Sequence, residues 1–205
     1  MAGKESNAIE LLKHDHREVD SMFKQFDAED ETRSRVEIAQ HICLSLIVHS
    51  EIEEELFYPA AQRALEDEDR DLVAEAKVEH LSLKRLINDI SGSSPSDAMF
   101  EARMTVLKEY VKHHVHEEEH ELMPQVKKTD IDLEALGSRL LERKQALIQE
   151  YRSYAEQQSG SSINLPPLAI ATRSHKTGTT GKHATHARVS APSRAGRVST
   201  DPSHW

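Results

Sequence analysis

The chain has 205 residues, a formal net charge of −10 at pH 7, 30% charged residues and 4% aromatic residues. The single cysteine, Cys43, excludes an internal disulfide and any metal site built from several thiolates, and no apolar run reaches the length of about 18 residues that spans a membrane. Few aromatic residues, with seven glycines and seven prolines, favour helices over sheets, so we expect an all-α protein. We also expect a cytoplasmic protein without a secretory leader.

Five helices are predicted before residue 159. Asn7 with Glu10, and Ser34 with Glu37, form capping-box patterns that mark the starts of the first two helices. Short linkers join the first four helices, which predicts antiparallel neighbours and an up-down-up-down four-helix bundle. The fifth helix carries an apolar face and is expected to pack against the outside of the bundle. The predicted ranges are about 8–27, 35–65, 70–91, 97–123 and 131–157.

The composition of the chain changes near residue 159. Residues 160–205 contain six basic residues and one acidic residue, a charge of +5, and four of the seven glycines. This segment has too little apolar surface to offset the entropy of ordering it. We therefore expect a bundle domain at 1–130, an accessory helix at 131–158 and a disordered basic tail at 159–205. The composition favours a solvated appendage over an arm for nucleic acid or another polyanion.

Each of the four bundle helices carries one histidine within its apolar stripe. The predicted stripe of the second helix, for example, consists of Ile38, Ile42, Ser45, His49, Ile52, Glu53 and Leu56. Two of the helices add a glutamate one turn later, and the helix lengths place all four histidines near mid-bundle. A buried carboxylate without a partner costs several kcal/mol, and neutral imidazoles do not supply the charge that it needs, so a metal is predicted. The residues are His16, His49, Glu53, His80, His114 and Glu118.

The spacing H-x3-E-x5-P occurs twice, from His49 to Pro59 and from His114 to Pro124. A duplicated helical hairpin brings two half-sites together across a pseudo-twofold axis, which is how two-metal centres are assembled in bundles. The two prolines are expected to bend or end their helices just past the site. One H-x3-E motif has little value as evidence, but two in phase with the core indicate a metal centre.

On these residues the sequence resembles the hemerythrin-like, or HHE cation-binding, family over about residues 8–124. The resemblance implies a non-haem di-iron centre with oxo or hydroxo and carboxylate bridges, with manganese or zinc as less favoured metals. It further implies binding of O₂, peroxide or NO in sensing, scavenging or stress response. One iron is assigned to His16 and His49, the other to His80 and His114, and the bridges to Glu53 and Glu118.

Hemerythrins that carry oxygen use a fifth histidine one turn from the ligand on the third helix. Here the corresponding neighbours of His80 are Ala76 and Lys84, so reversible oxygen carriage is not expected. Both metals then keep coordination positions that a small molecule can take.

Further side chains are expected around the ligands. Glu54 and Glu119 follow the two glutamate ligands and are expected to hydrogen-bond ligand imidazoles. Tyr58 and Tyr110 are expected to stand near a bound oxygen species as sources of protons or electrons. None of these residues is assigned a catalytic role.

Other interpretations of the pattern stay open. His116, Glu117 and His120 form the H-E-x-x-H signature of zinc proteases, but they are expected to face water about 200° from the metal stripe. Only one E-x-x-H is present, whereas a ferritin-type site needs two. The function classes left are a sensor or binding protein, a di-iron oxidoreductase that turns over peroxide or NO, and a partner-binding protein acting through the basic tail. The sequence leaves the oligomeric state open.

Overall fold

The computed structural model describes residues 7–157, and all regular structure in that range is helical. The predicted four-helix bundle with an additional fifth helix is confirmed, while the predicted tail at 159–205 lies outside the described residues. The second bundle helix comprises α2, a first π segment and α3, and the fourth comprises α5, a second π segment and α6. The bounds are α1 Ala8–Ala28, α2 Thr32–Ile52, first π segment Glu53–Phe57, α3 Tyr58–Ala64, α4 Arg70–Ser91, α5 Ala98–Glu117, second π segment Glu118–Leu122, α6 Met123–Val126 and α7 Leu133–Gln157.

Side chains cap the starts of the helices. The Asn7 side chain accepts a hydrogen bond from the Glu10 backbone N–H at 3.1 Å, which confirms the first predicted cap. The predicted cap at Ser34 is wrong, because α2 begins at Thr32, three residues earlier than predicted, and the Glu31 carboxylate caps it instead. That carboxylate accepts from the backbone N–H groups of Arg33 and Ser34 at 3.0 and 2.6 Å. A negative charge is favourable at this end of a helix, where unpaired N–H groups point outward.

Each proline follows a π-helical turn. The backbone N–H of Tyr58 bonds to the carbonyl of Glu53, and that of Met123 bonds to the carbonyl of Glu118, both five residues back. A proline lacks an N–H and its ring clashes with the carbonyl four residues earlier, a conflict that a wider π turn relieves. The helices continue past both prolines, to Ala64 and Val126, so neither proline ends its helix.

Two apolar clusters lie on either side of the histidine layer. The first surrounds Leu12 and Phe57, and the second surrounds Phe23, Ile87 and Phe100. The predicted stripes of the first, third and fourth helices are buried as expected. The second helix differs, because Ile38, Ser45 and Leu56 are half-buried while Leu46, Ile47 and Val48 are buried.

The fifth helix, α7, covers part of that wider buried face, because Val48 lies in the same apolar cluster as Leu140 and Leu147. It packs along α1 and α2 and touches the first π segment, as the sequence predicts for an accessory helix outside the bundle. Its contact face buries Leu136, Leu140 and Leu147. Among the described residues, the helices are too short or too polar to cross a bilayer.

Candidate metal centre

The structure brings all six predicted ligand residues into one buried layer between the two apolar clusters. One histidine comes from each of α1, α2, α4 and α5, and each glutamate is the first residue of a π segment. None of the six residues is more than 6% exposed. They are His16, His49, Glu53, His80, His114 and Glu118.

The histidines form two pairs joined by the glutamates. The Nε2 atoms of His16 and His49 are 3.0 Å apart, and those of His80 and His114 are 3.1 Å apart. Glu53 Oε2 lies 3.2 Å from Nε2 of His49 and 3.5 Å from Nε2 of His80. Oε2 of the second glutamate, Glu118, lies 3.5 Å from Nε2 of His16 and 3.7 Å from Nε2 of His114. Each carboxylate therefore reaches one histidine of each pair, the arrangement that a bridging ligand needs.

The other ring nitrogen of each histidine faces a carboxylate from a different helix. Such a carboxylate holds the ring in one orientation and favours the tautomer whose Nε2 is free to bind a metal. The Nδ1 partners are Glu119 for His16 (2.8 Å), Asp15 for His49 (3.5 Å), Glu54 for His80 (3.0 Å) and Glu79 for His114 (2.8 Å).

This tautomer makes the short Nε2 separations informative. When Nδ1 carries the proton, Nε2 presents a lone pair, and two lone pairs that face each other repel. A cation between the two nitrogens, or a second proton on one ring, removes the repulsion. Two nitrogens bound at a right angle about 2.1 Å from one ion would be about 3.0 Å apart, which fits both pairs.

The two glutamates have buried oxygens that no protein group satisfies. Both oxygens of Glu53 and Oε2 of Glu118 lack a hydrogen-bond partner within the described residues. Burial and the neighbouring charge of Glu118 raise the pKa of Glu53 well above its usual value. Burial also acts to raise the pKa of Glu118, but the charges of His114 and His16 outweigh it and lower that pKa. A buried carboxylate pair of this kind fits a cation.

In the metal-free protein, protons supply part of the positive charge that a metal ion would bring to the carboxylates. Burial acts to lower the pKa of His16, but its contacts with Glu118 and Glu119 outweigh burial and raise it. Burial also acts to lower the pKa of His114, but Glu118 and other carboxylates outweigh burial and raise that pKa. Burial lowers the pKa of His80 to about 4, which keeps that ring neutral. Metal binding therefore has to displace protons from the site.

Tyr58 lies in the centre, whereas Tyr110 does not. The Tyr58 hydroxyl donates to Glu118 Oε1 at 2.9 Å and lies 3.2 Å from Nε2 of His80. Tyr110 is 50% exposed and, within the described residues, hydrogen-bonds to none of the six ligand candidates. The reason is its position, about 100° around the helix from the buried Val111. We therefore leave Tyr110 out of the site.

A small apolar pocket adjoins all four histidines. The pocket has room for about one water-sized molecule, and Asp15 and Ser50 also line it. Aliphatic side chains from each of the four bundle helices form most of its wall. These side chains are Val19, Leu46, Leu83, Val111 and Val115.

The H-E-x-x-H residues lie on the outer face of the fourth bundle helix. His116 and His120 are exposed, with ring centroids 4.3 Å apart, and Nδ1 of His120 donates to the carbonyl of His116 at 2.8 Å. Both histidines thus lie on the solvent-facing side of the helix, as the sequence predicts.

Two carboxylates of the centre are absent from the sequence-based prediction. Asp15 directly precedes His16 and faces His49, while Glu79 directly precedes His80 and hydrogen-bonds His114. An acidic residue directly before His16 and another directly before His80 are the available signal. It is weak by itself, because the chain has 36 acidic residues.

The family model of the hemerythrin HHE cation binding domain matches residues 7–126. The chain belongs to this family. The match covers all six ligand candidates and ends before α7. Together with the buried histidine and glutamate clusters, it makes this chain a metal-binding hemerythrin-like protein.

Two known proteins are similar to this chain. A DNA nickase from Nostoc sp. (strain PCC 7120 / SAG 25.82 / UTEX 2576) is 27% identical over 124 residues, which is 60% of this chain and 34% of that protein. The chain thus spans about a third of that relative. A crystal structure of a hemerythrin HHE cation binding domain-containing protein from Mycobacterium kansasii aligns with a TM-score of 0.66 and 23% identity, covering 77% of this chain and 97% of that one. At this identity the likeness shows the fold alone.

Proposed function

We propose that this HHE domain holds two iron ions and binds O₂, peroxide or NO at them, in sensing, scavenging or stress response. The observation that supports this most is the arrangement of two Nε2 pairs joined by two carboxylates, three of whose four oxygens are buried without a hydrogen-bond partner within the described residues. The proposed ligands are His16 and His49 for one ion and His80 and His114 for the other, with Glu53 and Glu118 bridging.

Imidazole and carboxylate donors suit iron, manganese and zinc, so the family supports iron more than the donor set does. Two nitrogens and two bridging carboxylates leave each ion with coordination positions free of protein ligands. Bound iron would supply redox-active positions at which a small molecule attaches.

The chain's own residues would control what reaches the ions. The largely aliphatic wall around Val111 and Leu83 leaves room for about one water-sized molecule beside the histidines, which limits access to small ligands. Tyr58 holds a proton at its hydroxyl, beside Glu118 and His80. These features fit binding or sensing, and they assign no residue to catalytic turnover.

Metal analysis of full-length protein from iron-replete cells tests the proposal. We expect about two iron atoms per chain, on the two-metal arrangement, with near-ultraviolet absorption that is lost when the metal is removed. Zinc, or no metal, in the purified protein would contradict it.

A second measurement separates a sensor from an enzyme. We expect the iron-loaded protein to consume peroxide or NO in proportion to its own concentration and then stop. Repeated turnover would instead support the alternative of a di-iron oxidoreductase, with the metal-free protein as the blank.

The nickase relative favours DNA as a second candidate ligand. Residues 1–159 carry a net charge of −15, so the +5 of residues 160–205 would have to contact the DNA. Nicking of supercoiled plasmid by the full chain, lost in a chain ending at residue 159, would support this function.

We also propose that the protein is located in the cytoplasm, which cell fractionation tests.

A further inference from the structure

Helix α7 lies outside the matched HHE domain and yet connects to the metal centre. The Lys144 side chain donates to Oδ1 of Asp15 at 2.6 Å. The other oxygen, Oδ2, lies 3.5 Å from Nδ1 of His49 and has no hydrogen-bond partner within the described residues. Lys144, Asp15 and His49 thus form a chain of polar contacts from α7 to one histidine pair.

The other carboxylates of the centre find their partners within the bundle. Glu119 accepts from Lys13 at 3.0 Å, and Glu54 accepts from Lys84 at 2.7 Å. Glu79, the pseudo-twofold counterpart of Asp15, lies 3.4 Å from His113 on the surface. Asp15 differs from these three in taking its cation from a helix beyond residue 126.

Burial makes the Lys144 contact more important than its counterparts. The Asp15 side chain is 6% exposed, against 21%, 34% and 26% for Glu119, Glu54 and Glu79. Without the Lys144 cation this carboxylate loses its charge partner, and it would have to turn toward solvent or draw in another partner. Either movement frees the ring of His49.

Two further polar contacts fix the position of α7 along the second bundle helix. Arg143 donates to both oxygens of Glu55 at 2.6 and 3.0 Å, and the Tyr151 hydroxyl donates to Glu51 at 2.6 Å. These contacts lie beside His49 and Glu53 in the second bundle helix, and they hold α7 where Lys144 reaches Asp15.

We propose that Lys144 is a positioning residue of the metal centre: through Asp15 it orients His49 and tightens the half-site formed by His16 and His49. The proposal rests on the two-metal function proposed above. It predicts that the two half-sites depend differently on α7, because within the described residues the carboxylate partners of His80 and His114 take no hydrogen bond from that helix.

The test is Co²⁺ titration of the metal-free full-length protein, monitored by visible absorption with a competing chelator. The wild type is expected to take up two equivalents. In Lys144→Met, one equivalent should bind about tenfold more weakly and with altered absorption, the lower end of the effect of a lost outer partner, while the other is unchanged. Lys144→Arg keeps the cation and should restore binding, and Arg139→Met is the matched control on an exposed part of α7.

A double-mutant cycle tests whether Lys144 acts on His49 through Asp15. In an Asp15→Asn background, Lys144→Met should have no further effect on either equivalent, because the connection through Asp15 is already cut. The proposal is overturned if Lys144→Met matches the wild type, if both equivalents weaken equally, or if Lys144→Arg behaves as Lys144→Met does. A wild type that binds no Co²⁺ would overturn the proposed two-metal function, and this inference with it.

Discussion

The four ligand candidates that are histidines use their two ring nitrogens for different tasks. Nε2 faces the centre of the bundle and Nδ1 faces a carboxylate, and that carboxylate always comes from another helix. Asp15 and Glu79 each stand beside one ligand in sequence and face a different one in space. The ligands are therefore braced against one another, so a change at one position is transmitted to a second helix.

Glu53 is the residue at which binding and stability are most clearly opposed. Its side chain is fully buried and neither oxygen has a partner within the described residues. Its raised pKa means that at pH 7 the folded state keeps a proton that the unfolded state releases, which costs stability. Glu53→Gln removes this cost while keeping the shape, so we expect the metal-free protein to gain about 1 to 2 kcal/mol of unfolding free energy at pH 7. The same change should lower metal uptake below two ions per chain.

Calorimetry of the metal-free protein and metal analysis of the loaded protein check both effects. Glu121→Gln is the matched control, because Glu121 lies exposed in the second π segment. A Glu53→Gln protein that keeps its full metal content would show that this carboxylate does not bridge.

Among the helices, the π segments are the local feature with most effect on the site. In each π segment, the backbone N–H of the residue five positions after the glutamate hydrogen-bonds to the carbonyl of that glutamate. This places Tyr58 one turn after Glu53 and Met123 one turn after Glu118. The Tyr58 phenol contacts Glu118 and His80, whereas Met123 at the equivalent position is buried in the first apolar cluster. With α-helical turns in place of the π turns, the residue one turn after each glutamate would be Phe57 or Leu122 instead of Tyr58 or Met123.

The bundle and its ligand layer could be predicted because both depend on helical periodicity. His16 and His80 interrupt apolar stripes at heights that agree, and this agreement is visible in sequence. The π turns could not be predicted, since a proline that ends a helix and one that follows a π turn leave the same local pattern. The contact of Lys144 with Asp15 joins positions 129 residues apart, and no local pattern reports it.

The packing of α7 gives a prediction at the same scale. Leu140 is fully buried against the bundle, whereas its neighbour Leu141 is 40% exposed. Leu140→Ala should cost about 2 to 5 kcal/mol of unfolding free energy, because it leaves a cavity in a close-packed interface. Leu141→Ala is the matched control and should change stability by less than about 0.5 kcal/mol. Urea unfolding measures both, and equal losses would contradict the docking of α7.

Across the whole molecule, the sequence repeat makes two halves that are alike in ligands and different in surroundings. The first half is covered by α7, while Val78 and Val106 on the third and fourth bundle helices stay exposed. Asp15 faces Lys144 in the first half, and Glu79 faces the surface His113 in the second. Two ions bound here would therefore differ in affinity although their ligands correspond.

Metal removal should destabilise the whole bundle, because the ligand layer lies between its two apolar clusters. A ligand at about 100 times its dissociation constant adds about 2.7 kcal/mol to the native state. For a chain of this size we expect the melting temperature to fall by about 5 to 10 °C when the metal is removed. Differential scanning calorimetry of loaded and metal-free protein measures the shift. A Glu53→Ala, Glu118→Ala double variant should show no shift, and a wild type that melts identically with and without metal would mean that the layer binds none.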